Sequence, residues 1–143
     1  MFIIDDYINT HYQFLFEQNF LLDKKIEGDC YSSVLLMNSE LKLLFRFIFE
    51  KEILSVSITS SKILYDDKYN KFNKFYDFFY VSKLLNPNLN FSDINSLLYP
   101  TIIKTYWDDI CVFFNEEKVD ESIKKLKVIE REYNKKRWEK YKK

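Results

Sequence analysis

The groups best able to do chemistry in this 143-residue chain are carboxylates set side by side: Asp5-Asp6, Asp66-Asp67 and Asp108-Asp109. Two carboxylates can hold Mg²⁺ or divide the work of general acid and general base. Adjacent residues of a helix or strand diverge in direction, so a working pair would have to be assembled from separate elements. Acidic doublets also serve as helix caps, as solvated corners and as contact points for a basic partner. The other reactive groups are scarce. His11 is the only histidine, Gly28 the only glycine, and Cys30 and Cys111 stand far apart. A single glycine excludes the glycine-rich phosphate loops, and there is no GxSxG, HExxH or paired Cys/His motif. No catalytic residue, metal site or cofactor is expected, and the chain reads as a non-enzyme.

What the chain has in surplus is contact material: 14 Phe, 11 Tyr and 2 Trp, with no Ala. Low Gly and Ala beside abundant Lys, Asn and Ile also fits the codon habit of an AT-rich genome. Tyrosine gives large contact area at low entropic cost. The segment Tyr65-Asp66-Asp67-Lys68-Tyr69 mixes it with acids. Tyr65, Asp66, Asp67 and Tyr69, with Asp108 and Asp109, are therefore the expected partner-binding residues. Formal charge is zero, but residues 1–115 carry 11 basic and 15 acidic side chains, and residues 116–143 carry 11 and 7. In the basic end, Lys135, Lys136, Arg137, Trp138 and Tyr141 interleave cations with aromatics, as a nucleic-acid-binding tail would. A fraying, solvated terminus over 134–143 is the ordinary alternative, and the neutral total gives no wide basic surface to favour nucleic acid.

These residues must be positioned by elements legible in the hydrophobic pattern. Ile4, Tyr7, Ile8, His11 and Leu15 recur at helical steps, with Asp5 and Asp6 at the start where the helix dipole favours them. His11 falls on that apolar stripe and is expected as a packed imidazole. Residues 21–29 are polar, contain Gly28 and read as a connection. Strand-like alternation follows. Leu41, Leu43, Phe45, Phe47 and Phe49 share one face, with Lys42, Leu44, Arg46, Ile48 and Glu50 on the other. Leu54, Val56 and Ile58 alternate likewise, and residues 31–37 more weakly. The short connections at 38–40 and 51–52 suit hairpins, giving a three-stranded antiparallel meander over residues 30–60. The amphipathic second face is expected either to be half covered or to meet a partner.

From Asn70 the pattern turns helical through Leu85, stopped by Asn86-Pro87-Asn88. A short helix is expected at 93–99, another led by Pro100 along Ile102, Ile103, Tyr106, Ile110, Phe113 and Phe114, and a last one from about Lys118. In that last helix Asp120–Lys124, Glu121–Lys125 and Glu132–Lys136 are spaced for surface ion pairs. The fold expected is α+β: an N-terminal helix, the three-stranded meander, then three to four helices packed on the sheet, in one domain over 1–143. Both cysteines are expected as buried thiols. Residues 1–6 lack the basic and apolar regions of a signal peptide, and no run is long enough to span a membrane, so a cytoplasmic protein is expected.

Three stretches carry a resemblance: Ser33-Val34-Leu35-Leu36-Met37-Asn38, the alternating run Leu41–Glu50, and Ile53–Ser60, followed by the aromatic helix around Phe75–Leu85. In this pattern the chain is similar to small immunity proteins of bacterial polymorphic-toxin and contact-dependent inhibition systems. The resemblance implies a single cytoplasmic α+β domain without catalytic residues that binds and neutralises a cognate toxin. It transfers no site residue, because such proteins share no fixed site.

Overall fold

Alternation does carry residues 31–60 into three paired strands, β2 (Tyr31–Asn38), β3 (Leu43–Glu50) and β4 (Ile53–Ser60), each antiparallel to the next. The computed structural model describes residues 3–66, 68 and 74–139. The β3–β4 hairpin closes on two residues, Lys51 and Glu52, both at positive φ (52° and 64°). That conformation matches the twist of the strands, although glycine or asparagine would adopt it more easily. Phe45, Phe47, Val34, Leu36, Val56 and Ile58 point to one side and are buried.

The sheet is larger than the expected meander. Among the described residues it has five strands in the order β1-β2-β3-β4-β5. The polar stretch expected as a connection is β1 (Leu21–Glu27), paired with β2, and every one of its residues is exposed. With water on both faces it needs no apolar side, which is why its sequence shows no alternation. Its pairing skips Asp23, and Lys24 and Lys25 follow; a bulge and lysines are common guards of a sheet edge. Gly28 sits in the turn after β1, where a Cβ would come within 3.0 Å of the Tyr31 carbonyl oxygen. On the opposite edge, β5 (Tyr76–Asp77) pairs with Ser57 and Ile58.

The helices also differ from expectation in where they break. The N-terminal stripe is two helices, α1 (Ile4–His11) and α2 (Gln13–Glu17), divided at Tyr12. Tyr12 leaves helical geometry and is buried edge-on against Phe47, their ring centroids 4.7 Å apart. His11, expected to pack, is exposed and lies 4.5 Å from the Tyr7 ring. After β4, Ser60 caps the single turn α3 (Ser61–Leu64). Residues 70–73 of the helix expected from Asn70 lie outside the described residues, and among the described ones it starts as α4 (Phe78–Leu85), where Asp77 caps it by accepting a 2.9 Å hydrogen bond from the Phe79 N–H. The short helix expected at 93–99 is instead a pair of 3₁₀ turns, Phe91–Asp93 and Ser96–Leu98. The Pro100 helix is α5 (Tyr99–Thr105) and α6 (Trp107–Phe113), broken at Tyr106. The last helix, α7 (Val119–Glu139), runs as expected. Among the described residues α3 lies between β4 and β5, and four α-helices, α4 to α7, follow the sheet.

Helices and loops close the core face with rings. Phe20 and Phe78 flank Phe45 at 5.5 and 6.2 Å, Tyr99 meets Phe78 at 5.1 Å, and Trp107 meets Phe14 and Phe20 at 5.6 and 5.8 Å. Edge-on aromatic packing of this kind adds to the transfer energy of burying the rings. α7 packs mainly on α4 and buries Val119, Ile123 and Leu126.

Candidate functional site

The strands' other face is only partly closed. Leu44 and Thr59, cross-strand neighbours at one end of it, are fully buried. Farther along, Ser33, Leu35, Met37 and Ile48 are half-buried, and Leu21 and Ile26 of β1 continue this face into solvent. Arg46 stands in the middle, opposite Leu35 on one side and Ser57 on the other. A cavity of about 400 Å³ opens over it, bordered by Phe75, Asp77 and Tyr80 and by Lys127 and Glu130 of α7.

Arg46 is held rather than paired. Its guanidinium carbon lies 4.0 Å from the centre of the Phe75 ring, a cation–π contact. Its Nε is shut from solvent with no hydrogen-bond partner, and among the described residues no carboxylate lies within ion-pair distance. Burial pulls the guanidinium below its ordinary pKa, and the Tyr31 phenol opposes this; the group stays charged regardless. Burial also pushes up the Tyr76 and Tyr80 phenols and the Asp77 carboxyl, the last against the pull of the Phe79 N–H. A buried donor without an acceptor is costly and uncommon. Chemically, the arrangement can receive an acceptor group from outside.

The expected contact residues fall in two places. Tyr65 ends α3 and is 73 % exposed, with Asp66 half-buried beside it; Asp67 and Tyr69 lie outside the described residues. The Lys74 ammonium donates to the Leu64 and Asp66 carbonyls at 3.1 and 3.2 Å, so the connection that bears Tyr65 is tied to the one that delivers Phe75 to Arg46. Asp108 and Asp109 are exposed in the first turn of α6, where the dipole favours them. Nothing described joins them to Tyr65 or Asp66. The acids near α3 are largely balanced by lysines: Lys42 bonds Glu116 at 2.6 Å, and Lys62 and Lys68 lie 3.7 and 3.9 Å from Asp120. Asp120 thus looks across to α3 and its loop rather than to Lys124, while the Glu121–Lys125 and Glu132–Lys136 pairs form as spaced. Asp5 pairs with Lys25 of β1.

At the basic end, Lys135, Lys136, Arg137 and Trp138 are exposed on the last turns of α7, and Tyr141 lies outside the described residues. Cys30 is exposed, contrary to expectation, because it sits in the turn between two edge-proximal strands; Cys111 is half-buried, and burial followed by the Asp108 charge raises its thiol pKa. Among the described residues no cluster of three or more His, Cys, Asp or Glu could hold a metal ion. Sequence reasoning missed Arg46, Phe75 and Asp77 as a unit. One signal was available, a lone cation inside the apolar run Leu43–Phe49.

No helix among the described residues is long and apolar enough to cross a membrane. No family model, curated protein or solved structure matches the chain.

Proposed function

We propose that this chain is a non-catalytic protein-binding domain of the immunity type, which binds and neutralises a cognate toxin in the bacterial cytoplasm. The observation that carries the reading is Arg46: a half-buried guanidinium with an unsatisfied Nε, at the floor of an open cavity on an incompletely covered sheet face. Arginine held against an aromatic ring is among the residue types from which interface hot spots are made. Half-buried Leu35, Met37 and Ile48 and exposed Leu21 and Ile26 extend the surface around it. A toxin would place a carbonyl or carboxylate on Arg46 and cover the neighbouring apolar residues. Tyr65 and Asp66 supply the rim, and the excess of acids over bases in residues 1–115 speeds encounter with a basic toxin. Neutralisation then follows from occluding the toxin's own site.

The test is co-expression with the product of the neighbouring open reading frame, followed by gel filtration and a growth assay. A one-to-one complex and restored growth are expected, with Arg46→Met weakening the complex by roughly 30-fold or more, the level of a hot spot. Absence of both complex and rescue would overturn the reading.

A further inference from the structure

A second cavity, of about 390 Å³, lies where the end of α7 meets α4 and the loop after it, and it shares no lining residue with the Arg46 cavity. Three cations line it, Lys83, Lys136 and Arg137, with the polar side chains of Asn90 and Ser92 and the rings of Phe91 and Tyr133. No carboxylate is among the lining residues. The two lysines crowd one ring, with their ammonium nitrogens 5.0 and 5.4 Å from the centre of Phe91, and Arg137 lies 5.7 Å from the centre of Tyr133. The platform beneath them is an aromatic cluster: Phe79 meets Phe91 at 5.9 Å and Tyr133 at 4.8 Å, and Phe91 meets Tyr133 at 5.1 Å.

The cations are only partly satisfied. Lys83 donates to the Pro87 and Leu89 carbonyls, which leaves one of its three N–H groups. Lys136 has Glu132 at 3.6 Å. Arg137 has no ion pair or hydrogen bond among the described residues, and the nearby acid Asp93 takes a bond from Asn90 at 3.4 Å. Like charges gathered on one platform repel, and an anion between them relieves that repulsion. A carboxylate brings a single negative charge. A phosphate group brings more than one, with several strong acceptor oxygens for the free N–H groups of Lys83 and Arg137 and the Ser92 hydroxyl.

We propose that this cavity is a binding site for a phosphate group. Two sources share that chemistry, a free phosphate compound and the phosphodiester of a single-stranded nucleic acid, whose backbone would continue along Lys135 and Trp138 at the exposed end of α7.

Titration calorimetry on the full chain at low ionic strength tests it, with inorganic phosphate, adenosine monophosphate and a short oligouridylate as probes. At least one is expected to bind, weakening as salt rises. Arg137→Gln is expected to lower that affinity by roughly tenfold, as loss of a charge-assisted bidentate contact does. Lys136→Gln should act in the same direction. Lys124→Gln makes the same change of charge on α7 at an exposed position outside the cavity, and should leave binding unaltered. All three positions are exposed, so the variants fold. Binding of the small phosphates alone supports a free ligand, and binding of the oligonucleotide alone supports the phosphodiester. No binding by any probe overturns the proposal, as does a Lys124→Gln effect equal to that of Arg137→Gln, which would mean diffuse charge rather than a built site.

Discussion

Arg46 and Phe47 are neighbours in one strand and look to opposite sides of one sheet, and the two sides have been finished differently. Phe47 is fully buried against Tyr12, within a continuous set of rings and aliphatic groups supplied by helices and loops from both ends of the chain. Arg46 meets a ring on one side and open space on the other, and its Nε has no acceptor. The closed face is sealed by its own rings and aliphatic groups, with the Tyr12 hydroxyl left inside it without a hydrogen-bond partner among the described residues, so its interactions are spent on stability. The open face keeps an unmet donor and half-buried apolar residues, which is costly for the free protein and useful only if something else covers them. On the proposed reading, the difference separates the residues that hold the fold from those a partner would cover.

Truncating the closed face should have the largest effect. Phe47→Ala is expected to destabilise by about 3–5 kcal/mol, since it removes a buried ring and the surrounding sheet cannot collapse into the space. Urea unfolding reads this as a lower midpoint at unchanged slope. Arg46→Met, which is expected to weaken the toxin complex so strongly, should do little here: loss of the cation–π contact is offset by removal of the desolvated Nε, leaving stability within about 1 kcal/mol of the parent. If Arg46→Met lowers stability as far as Phe47→Ala, the arginine is a structural member of the face and the comparison fails.

How much of this was legible follows the same division. The closed face declared itself in β3 and β4, because burying one side of a strand forces alternation, and Leu43, Phe45 and Phe47 could hardly be read otherwise. β1 was illegible for the opposite reason: with both faces wet, Leu21–Glu27 has no pattern to show, and only its pairing with β2 makes it a strand. The helix breaks at Tyr12 and Tyr106 carry neither Gly nor Pro, and the apolar stripes run on through them. They result from what the buried Tyr12 and the neighbouring Trp107 pack against, which is tertiary information. The start of α4 was available in principle, since Asp77 before Phe78 is a good N-cap, but the aromatic run 75–80 masked it. Arg46 was visible as a cation among apolar residues. Its missing acceptor was not, because that depends on Phe75, Asp77 and α7 arriving from elsewhere in the chain. Tyr65 is exposed as read from its loop, whereas Asp108 and Asp109 lie on a helix that nothing described connects with it.

The closed face should also set the alkaline limit of the protein. Burial, then the neighbouring Tyr7 and Tyr99 phenols, holds the Tyr12 phenol far above its ordinary value of 10.0, and burial raises Tyr99 in the same sense. In the unfolded chain these phenols lose their protons near pH 10, while in the folded one they keep them. The folded state therefore binds more protons above that pH. The stability from Tyr12 is whole below pH 10 and falls above it by about 1.4 kcal/mol per pH unit. Urea midpoints measured on either side of pH 10 should show this decline, and Tyr12→Phe should flatten it. A decline unaltered by Tyr12→Phe would place the titrating group elsewhere.

The smallest expected effect asks whether the open face is unfinished only around Arg46. Thr59, buried at the closed end of that face beside Leu44, also has a side-chain oxygen with no hydrogen-bond partner among the described residues. Valine has nearly its shape without the hydroxyl, and a β-branched side chain suits the strand. Thr59→Val should therefore raise stability by about 1 kcal/mol, the desolvation cost of an unmet hydroxyl, seen as a higher urea midpoint. It should leave toxin binding untouched, because Thr59 is sealed from solvent where Arg46 faces a cavity. A gain in stability with unchanged binding would assign the Thr59 hydroxyl to the interior and confine the contact surface to the stretch around Arg46. A loss of binding in a stable Thr59→Val protein would instead mean that the partner reaches the far end of the sheet, and that the boundary between the two kinds of surface lies beyond Leu44.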